Sequence, residues 1–204
     1  MENKQKKIGI MGGTFNPIHY GHLMIAEDAR TYFNLDKVIF IPSGNSYMKD
    51  VSEIINGKLR FDMTKLATEN NPFFAASDME INREGHTYTY ETLEELKKEQ
   101  PDADLYFILG ADNLFSVEKW KYVEKIMQNC TLIVAARGEM SEDDLTKQAE
   151  YLSQKFHAKI VILPERKIDI SSTEIRKNCK SGTSILYMTP QSVISYIKEN
   201  NLYQ

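Results

Sequence analysis

The chain has 204 residues, 42% hydrophobic and 26% charged, with a formal net charge of −4; a chain this long can bury roughly 70% of its unfolded surface without disulfides, and the acidic balance argues against a duplex nucleic-acid binder, whose footprint is a basic face. Two cysteines, Cys130 and Cys179, stand far apart with no CxxC spacing, which reads as two reduced thiols rather than a disulfide or zinc site. No apolar run approaches the ~20 residues that span a bilayer and no signal peptide is visible, so the expectation is a cytoplasmic protein of one domain, residues 1–204, with residues 170–204 as a C-terminal helical subdomain.

The first expected strand is Lys7–Met11, and a helix follows over His22–Phe33. There Leu23 and Ala26, and Ile25, Ala29 and Phe33, recur at spacings of three and four, as a buried stripe requires. Strand Lys37–Ile41, helix Lys58–Glu69 and a further strand, Phe73–Ala76, set off by Asn71-Pro72, come next. Helix Tyr90–Glu99, strand Leu105–Leu109, helix Val117–Met127, strand Thr131–Ala135, helix Glu142–Phe156 and strand Lys159–Leu163 continue the alternation. The strands are short runs rich in Ile, Val, Leu and Phe, which fits burial on both faces. Such alternation implies right-handed βαβ units and an α/β fold, a doubly wound parallel sheet. Ligands of such sheets sit beyond the carboxyl ends of the strands, where strand order reverses. The tail differs: Ser171–Cys179 and Thr189–Asn200 read as two helices with no strand between them, a small C-terminal helical appendage. Thr189-Pro190 offers a capping hydroxyl followed by a first-turn proline.

The loop after the first strand reads Gly12-Gly13-Thr14-Phe15-Asn16-Pro17-Ile18-His19-Tyr20-Gly21-His22. Glycines there let the backbone approach a phosphate closely. The pattern is neither GxGxxG nor GxxxxGK[ST], so it carries neither a dinucleotide fingerprint nor a Walker-type loop. Two imidazoles three residues apart at the mouth of a helix can hold phosphate oxygens; no carboxylate or cysteine nearby completes a metal set. Near the far end, Ser171 and Glu174 form a capping box. Ser172 and Thr173 add hydroxyls at a helix start, and Arg176 supplies a forked cation. Alone, that segment is an ordinary capped helix with a surface arginine.

Together the two segments resemble the two signatures of the HxGH nucleotidyltransferase superfamily, His19-Tyr20-Gly21-His22 being the first and Ile170-Ser171-Ser172-Thr173-Glu174-Ile175-Arg176 the second. Within it the chain is most similar to the bacterial nicotinate-mononucleotide adenylyltransferases, over Ile8 to Tyr203. The resemblance implies a Rossmann-like nucleotidyltransferase fold and adenylyl transfer from ATP to nicotinate mononucleotide in NAD biosynthesis, with Mg²⁺ carried by ATP. It implies catalytic roles for His19, His22 and Arg176, and ATP contacts from Gly12, Gly13, Thr14, Phe15, Gly110, Asp112, Ser172 and Thr173.

On the acceptor side it points to Lys49, Tyr88, Thr89, Trp120 and Arg137. Lys49 ends Ser46-Tyr47-Met48-Lys49, where the family often has Pro-Pro-His-Lys, and a solvated loop lysine is the other reading. Thr89 in Thr87-Tyr88-Thr89-Tyr90-Glu91-Thr92-Leu93 is equally a plausible helix cap. Trp120, the only tryptophan, would stack on the pyridine ring, although a lone Trp is usually core filler. Lys121 stands where relatives often carry an aromatic, and its backbone amide could still serve. Arg137 is a second phosphate contact, with adenine as its other reading. The expected partners are these small molecules, with no nucleic acid and no membrane; a homo-oligomer stays open. Transferases making dephospho-CoA or a CDP-alcohol, and a nucleotide-binding regulator without catalysis, are the rival readings; the missing GxGxxG counts against a dehydrogenase.

Overall fold

The computed structural model describes residues 5–46, 54–136, 141–164 and 169–204. In chain order the elements are β1 (Lys7–Gly13), α1 (Tyr20–Tyr32), β2 (Lys37–Pro42), β3 (Asn45–Ser46), α2 (Gly57–Thr68), β4 (Phe74–Ala76), β5 (His86–Thr87), α3 (Thr89–Glu99) and β6 (Asp104–Gly110). Then come α4 (Ala111–Ser116), a 3-10 turn at Val117–Lys119, α5 (Val123–Asn129), β7 (Thr131–Ala135), α6 (Glu142–Phe156), β8 (Ile160–Leu163), α7 (Ser172–Ser181) and α8 (Gln191–Glu199). Among the described residues no helix is long and apolar enough to cross a membrane.

Six strands form one parallel sheet in the order β4-β2-β1-β6-β7-β8. The chain winds outward from β1 in one direction and then, from β6, in the other, so the reversal lies between β1 and β6. Their carboxyl ends, Gly13 and Gly110, open the crevice where a ligand is expected. Side chains alternate across the sheet. Ile8, Ile10, Phe107, Leu109, Leu132 and Val134 face one apolar cluster with Leu93, Leu114, Ile126, Leu145 and Leu152 of the helices. Met11, Val38, Phe40, Ile108, Ile133 and Ala135 face the other with Ile25, Ala26, Met63, Ile175, Val193 and Ile197. That two-sided burial explains why the strands lack a polar face.

The tail helices α7 and α8 therefore join the same cluster as α1 and α2, on one face of the sheet. Tyr196 donates from its hydroxyl to Asp62 Oδ2 at 3.0 Å and Ser192 donates to the Leu66 carbonyl at 3.1 Å, fastening α8 to α2.

Two expectations need correction. The helix expected over Val117–Met127 is broken: α4 starts earlier, a 3-10 turn follows, and Tyr122 at φ 51° precedes a fresh start at Val123. Trp120 and Lys121, in the interruption, line the crevice. Thr189 does not cap α8. Pro190 holds the cap position, and the Thr189 hydroxyl donates to the Ile18 carbonyl at 2.8 Å instead. The parallel pair β3–β5 was not anticipated, because two-residue bridges carry no periodicity to read.

Candidate active site

A cavity of about 720 Å³ opens at the carboxyl ends of β1 and β6. Its floor is the glycine turn. A Cβ on Gly13 would stand 2.9 Å from the buried Phe15 ring, so that position excludes larger residues; one on Gly110 would stand 2.6 Å from Asp112 Oδ1 and would require that side chain to shift. Phe15 takes the left-handed region at φ 47°, an uncommon place for a bulky residue. Its ring holds it there: it is 2% exposed and sits edge-on to His22 at 5.0 Å and near Phe40 at 6.0 Å.

The first loop is sewn to the far end of the chain. Ser172 Oγ donates to the Pro17 carbonyl at 2.8 Å, and Arg176 Nη1 donates to the Asn16 carbonyl at 3.0 Å. The Tyr203 hydroxyl donates to Asn16 Oδ1 at 2.9 Å, and the Tyr20 N–H donates to the Met188 carbonyl at 2.9 Å. Burial raises the Tyr203 phenol above its ordinary pKa, so it stays a donor at any working pH. The Ser171 hydroxyl accepts from the Glu174 N–H at 3.2 Å and caps α7 as the sequence indicates. Ser172 and Thr173 then bring the first-turn amides of α7 to the cavity wall, where such donors favour an anion.

His22 lines the cavity in the first turn of α1. The His19 N–H donates to His22 Nδ1 at 3.3 Å, so this imidazole is neutral and carries its proton on Nε2. His19 caps α1, is 2% exposed and stacks against His22 with ring centres 3.7 Å apart. It stands behind His22, and the cavity wall does not include it.

At the other end, Tyr88 caps α3 and Thr89 is the first residue of that helix, so the cap falls one residue before the one considered. Trp120 lines the cavity edge-on to Phe107 at 6.1 Å, and its Nε1 is buried without a protein acceptor. Lys121 Nζ rests 4.1 Å from the centre of the Tyr88 ring. Gly12, Gly13, Thr14, Phe15, His22, Tyr88, Thr89, Gly110, Asp112, Trp120, Ser172, Thr173 and Arg176 thus share one cavity. Lys49 and Arg137 fall outside the described residues.

Sequence reading missed two polar side chains here. Arg60 is 3% exposed and donates to three carbonyls: Ile55 at 3.1 Å, Thr14 at 2.7 Å and Ser43 at 2.7 Å. It braces the loops after β1 and β2 against each other; burial lowers its pKa from an ordinary value so high that it remains charged. The signal was its place with Met63, Thr64 and Thr68 on the inward stripe of α2, where a charge is out of pattern. Glu80 lines the cavity and accepts from Thr92 Oγ1 at 2.7 Å, from the Thr87 side chain and from the Gly44 amide. Burial pushes its carboxyl above the ordinary range, opposed by these donors and by Arg83.

Residues 10–178 match the cytidylyltransferase-like family. The chain belongs to that family. It is 44% identical over 199 residues to a protein of Clostridium botulinum (strain Alaska E43 / Type E3) named probable nicotinate-nucleotide adenylyltransferase, covering 98% of each chain. A protein of the same name from Lachnoclostridium phytofermentans is 43% identical over 198 residues, 97% of this chain and 99% of that one. Among solved structures, Plasmodium falciparum nicotinic acid mononucleotide adenylyltransferase complexed with NaAD matches with a TM-score of 0.77 at 23% identity, over 97% of both chains. That likeness establishes the fold: a Rossmann-like parallel sheet with flanking helices.

Proposed function

We infer that this family member transfers the AMP part of ATP to nicotinate mononucleotide, giving deamido-NAD and pyrophosphate, a step of NAD biosynthesis. The observation that carries the reading is the meeting of His22 with Ser172, Thr173 and Arg176 on one cavity whose other end is Tyr88, Thr89 and Trp120. The relatives at 43–44% identity bear the name of that activity.

An oxygen of the acceptor's 5′-phosphate attacks the α-phosphorus of ATP. The new P–O bond forms as the bond to the β-phosphate oxygen breaks, and its electron pair leaves with pyrophosphate. The nucleophile is already anionic near neutral pH, so no general base is needed; positioning and charge stabilisation carry the rate. His22 donates from Nε2 to the triphosphate. Arg176 contributes its fork, and α7 its first-turn amides. Ser172, whose hydroxyl proton is engaged by the Pro17 carbonyl, serves as the fastener of the loop. His19 sets the ring of His22. Gly110 and Asp112 meet the adenosine ribose. Trp120 stacks on the pyridine ring, and Thr89 with Tyr88 frames it.

Among the described residues no group of three or more His, Cys, Asp or Glu could hold a metal. The donors present fit a divalent ion that arrives on the phosphates of ATP, for which we name Mg²⁺; it would neutralise charge on the transferring and leaving groups.

The test is pyrophosphate release with ATP, run in parallel on nicotinate mononucleotide, nicotinamide mononucleotide and phosphopantetheine. Release with the first and not the last is expected. Release with phosphopantetheine alone would overturn the reading.

A further inference from the structure

We propose that the side chain of Lys121 selects the acceptor's acid form, pairing its ammonium with the ring carboxylate and so favouring nicotinate over nicotinamide mononucleotide. The inference rests on the functional reading above and adds what distinguishes its substrate. Acid and amide differ in shape by little and in charge by one unit. Backbone amides and hydroxyls bind either, whereas a cation gains only from the charged one.

Two cationic side chains, Lys121 and Arg176, are among the described residues lining the cavity. Arg176 is bonded to Asn16 in the first loop and so belongs to the phosphate end. Lys121 follows Trp120 directly and reaches over Tyr88 at 4.1 Å, which puts its charge at the end where the pyridine ring would lie. Its ammonium also stands 5.6 Å from the ring centre of Tyr122, so two aromatic faces hold it. Holding a flexible lysine in this way lowers the entropy lost when it meets a ligand. Glu80, the nearby acid on the same wall, takes its hydrogen bonds from Thr92, Thr87 and Gly44. Tyr90, Tyr122 and Lys125 continue outward as a ladder of rings and ammonium, where Lys125 is paired with Glu94 at 2.8 Å, which leaves Lys121 as the cation that reaches the cavity at this end.

Because Lys121 is exposed at the rim, its removal does not threaten the fold. Kd and kcat/KM for nicotinate and nicotinamide mononucleotides, with Kd for ATP as reference, are to be measured for the wild type, Lys121→Met and Lys121→Arg. The acid-to-amide ratio is expected to fall roughly five- to tenfold in Lys121→Met, the scale of one charge-assisted contact at a partly exposed site. In Lys121→Arg it should stay within about twofold, since the charge is kept. If amide binding is too weak to follow, the acid's Kd against that of ATP carries the same comparison. An unchanged ratio, or equal loss for acid and amide, overturns the role of Lys121 while leaving the enzyme assignment standing. A wild type that releases pyrophosphate with neither pyridine nucleotide overturns the assignment, and this inference with it.

Discussion

The two ends of the cavity are built differently. The end proposed for the phosphates is made of two contiguous segments, 12–22 and 171–176, locked together by hydrogen bonds of 2.8–3.0 Å from Ser172 and Arg176 to the carbonyls of Pro17 and Asn16. The end proposed for the acceptor gathers Tyr88, Trp120 and Lys121 one at a time, from before α3 and after the 3-10 turn that follows α4, with ring contacts of Tyr88 to Lys121 and of Trp120 to Phe107 among them. Phosphate chemistry is common to every substrate of such a site and wants a fixed grip. A pocket assembled from single residues of separate elements can change at one of them with little effect on the rest.

That contrast predicts unequal consequences of mutation. The largest belongs to the phosphate end: His22→Ala should lower kcat/KM by about 10²- to 10³-fold, the range for losing one preorganised donor. Steady-state rates within a few fold of wild type would remove His22 from the chemistry. Arg60→Met tests the brace between the loops after β1 and β2. It leaves the carbonyls of Thr14, Ser43 and Ile55 without their donor and should cost roughly 2–4 kcal/mol of stability in denaturant unfolding. An unfolding midpoint equal to wild type would show that the brace is dispensable.

At the acceptor end, Trp120→Ala should raise KM for the pyridine nucleotide about tenfold and leave that for ATP nearly unchanged. Equal loss for both would mean that the two ends are not separable. Smallest is the effect of Glu80. Its carboxyl is raised above the usual value of 4.5 by burial, so the folded chain holds the proton more tightly than the unfolded one. Its stabilising contribution is complete below that value and is lost as pH climbs through the raised one. The melting temperature of Glu80→Gln relative to wild type should therefore increase from about pH 4 to pH 7. A difference independent of pH would place the carboxyl at its ordinary pKa.

The local structure of segments 12–22 and 171–176 was legible because each of its signals is local. A glycine turn, an imidazole pair at a helix start and a capping box are each read within a few residues, and the apolar strands state the parallel sheet directly. What escaped was set by packing. No local pattern in Val117–Met127 announces that Tyr122 turns left-handed and splits the helix. Thr189 has the chemistry of a cap, yet the buried Ile18 carbonyl claims its hydroxyl. His19 reads as the twin of His22 in sequence, but α1 places one ring on the cavity and stacks the other behind it. Arg60 could have been found as a charge on an inward stripe; its partners, 17 and 46 residues away, could not.

The central claim is that one triphosphate is shared by His22 and by α7 through Arg176. A crystal structure of the chain with a non-hydrolysable ATP analogue tests it most directly. The account predicts phosphate oxygens within about 3 Å of both His22 Nε2 and the Arg176 guanidinium. A triphosphate resting on one of these segments and out of reach of the other would contradict it.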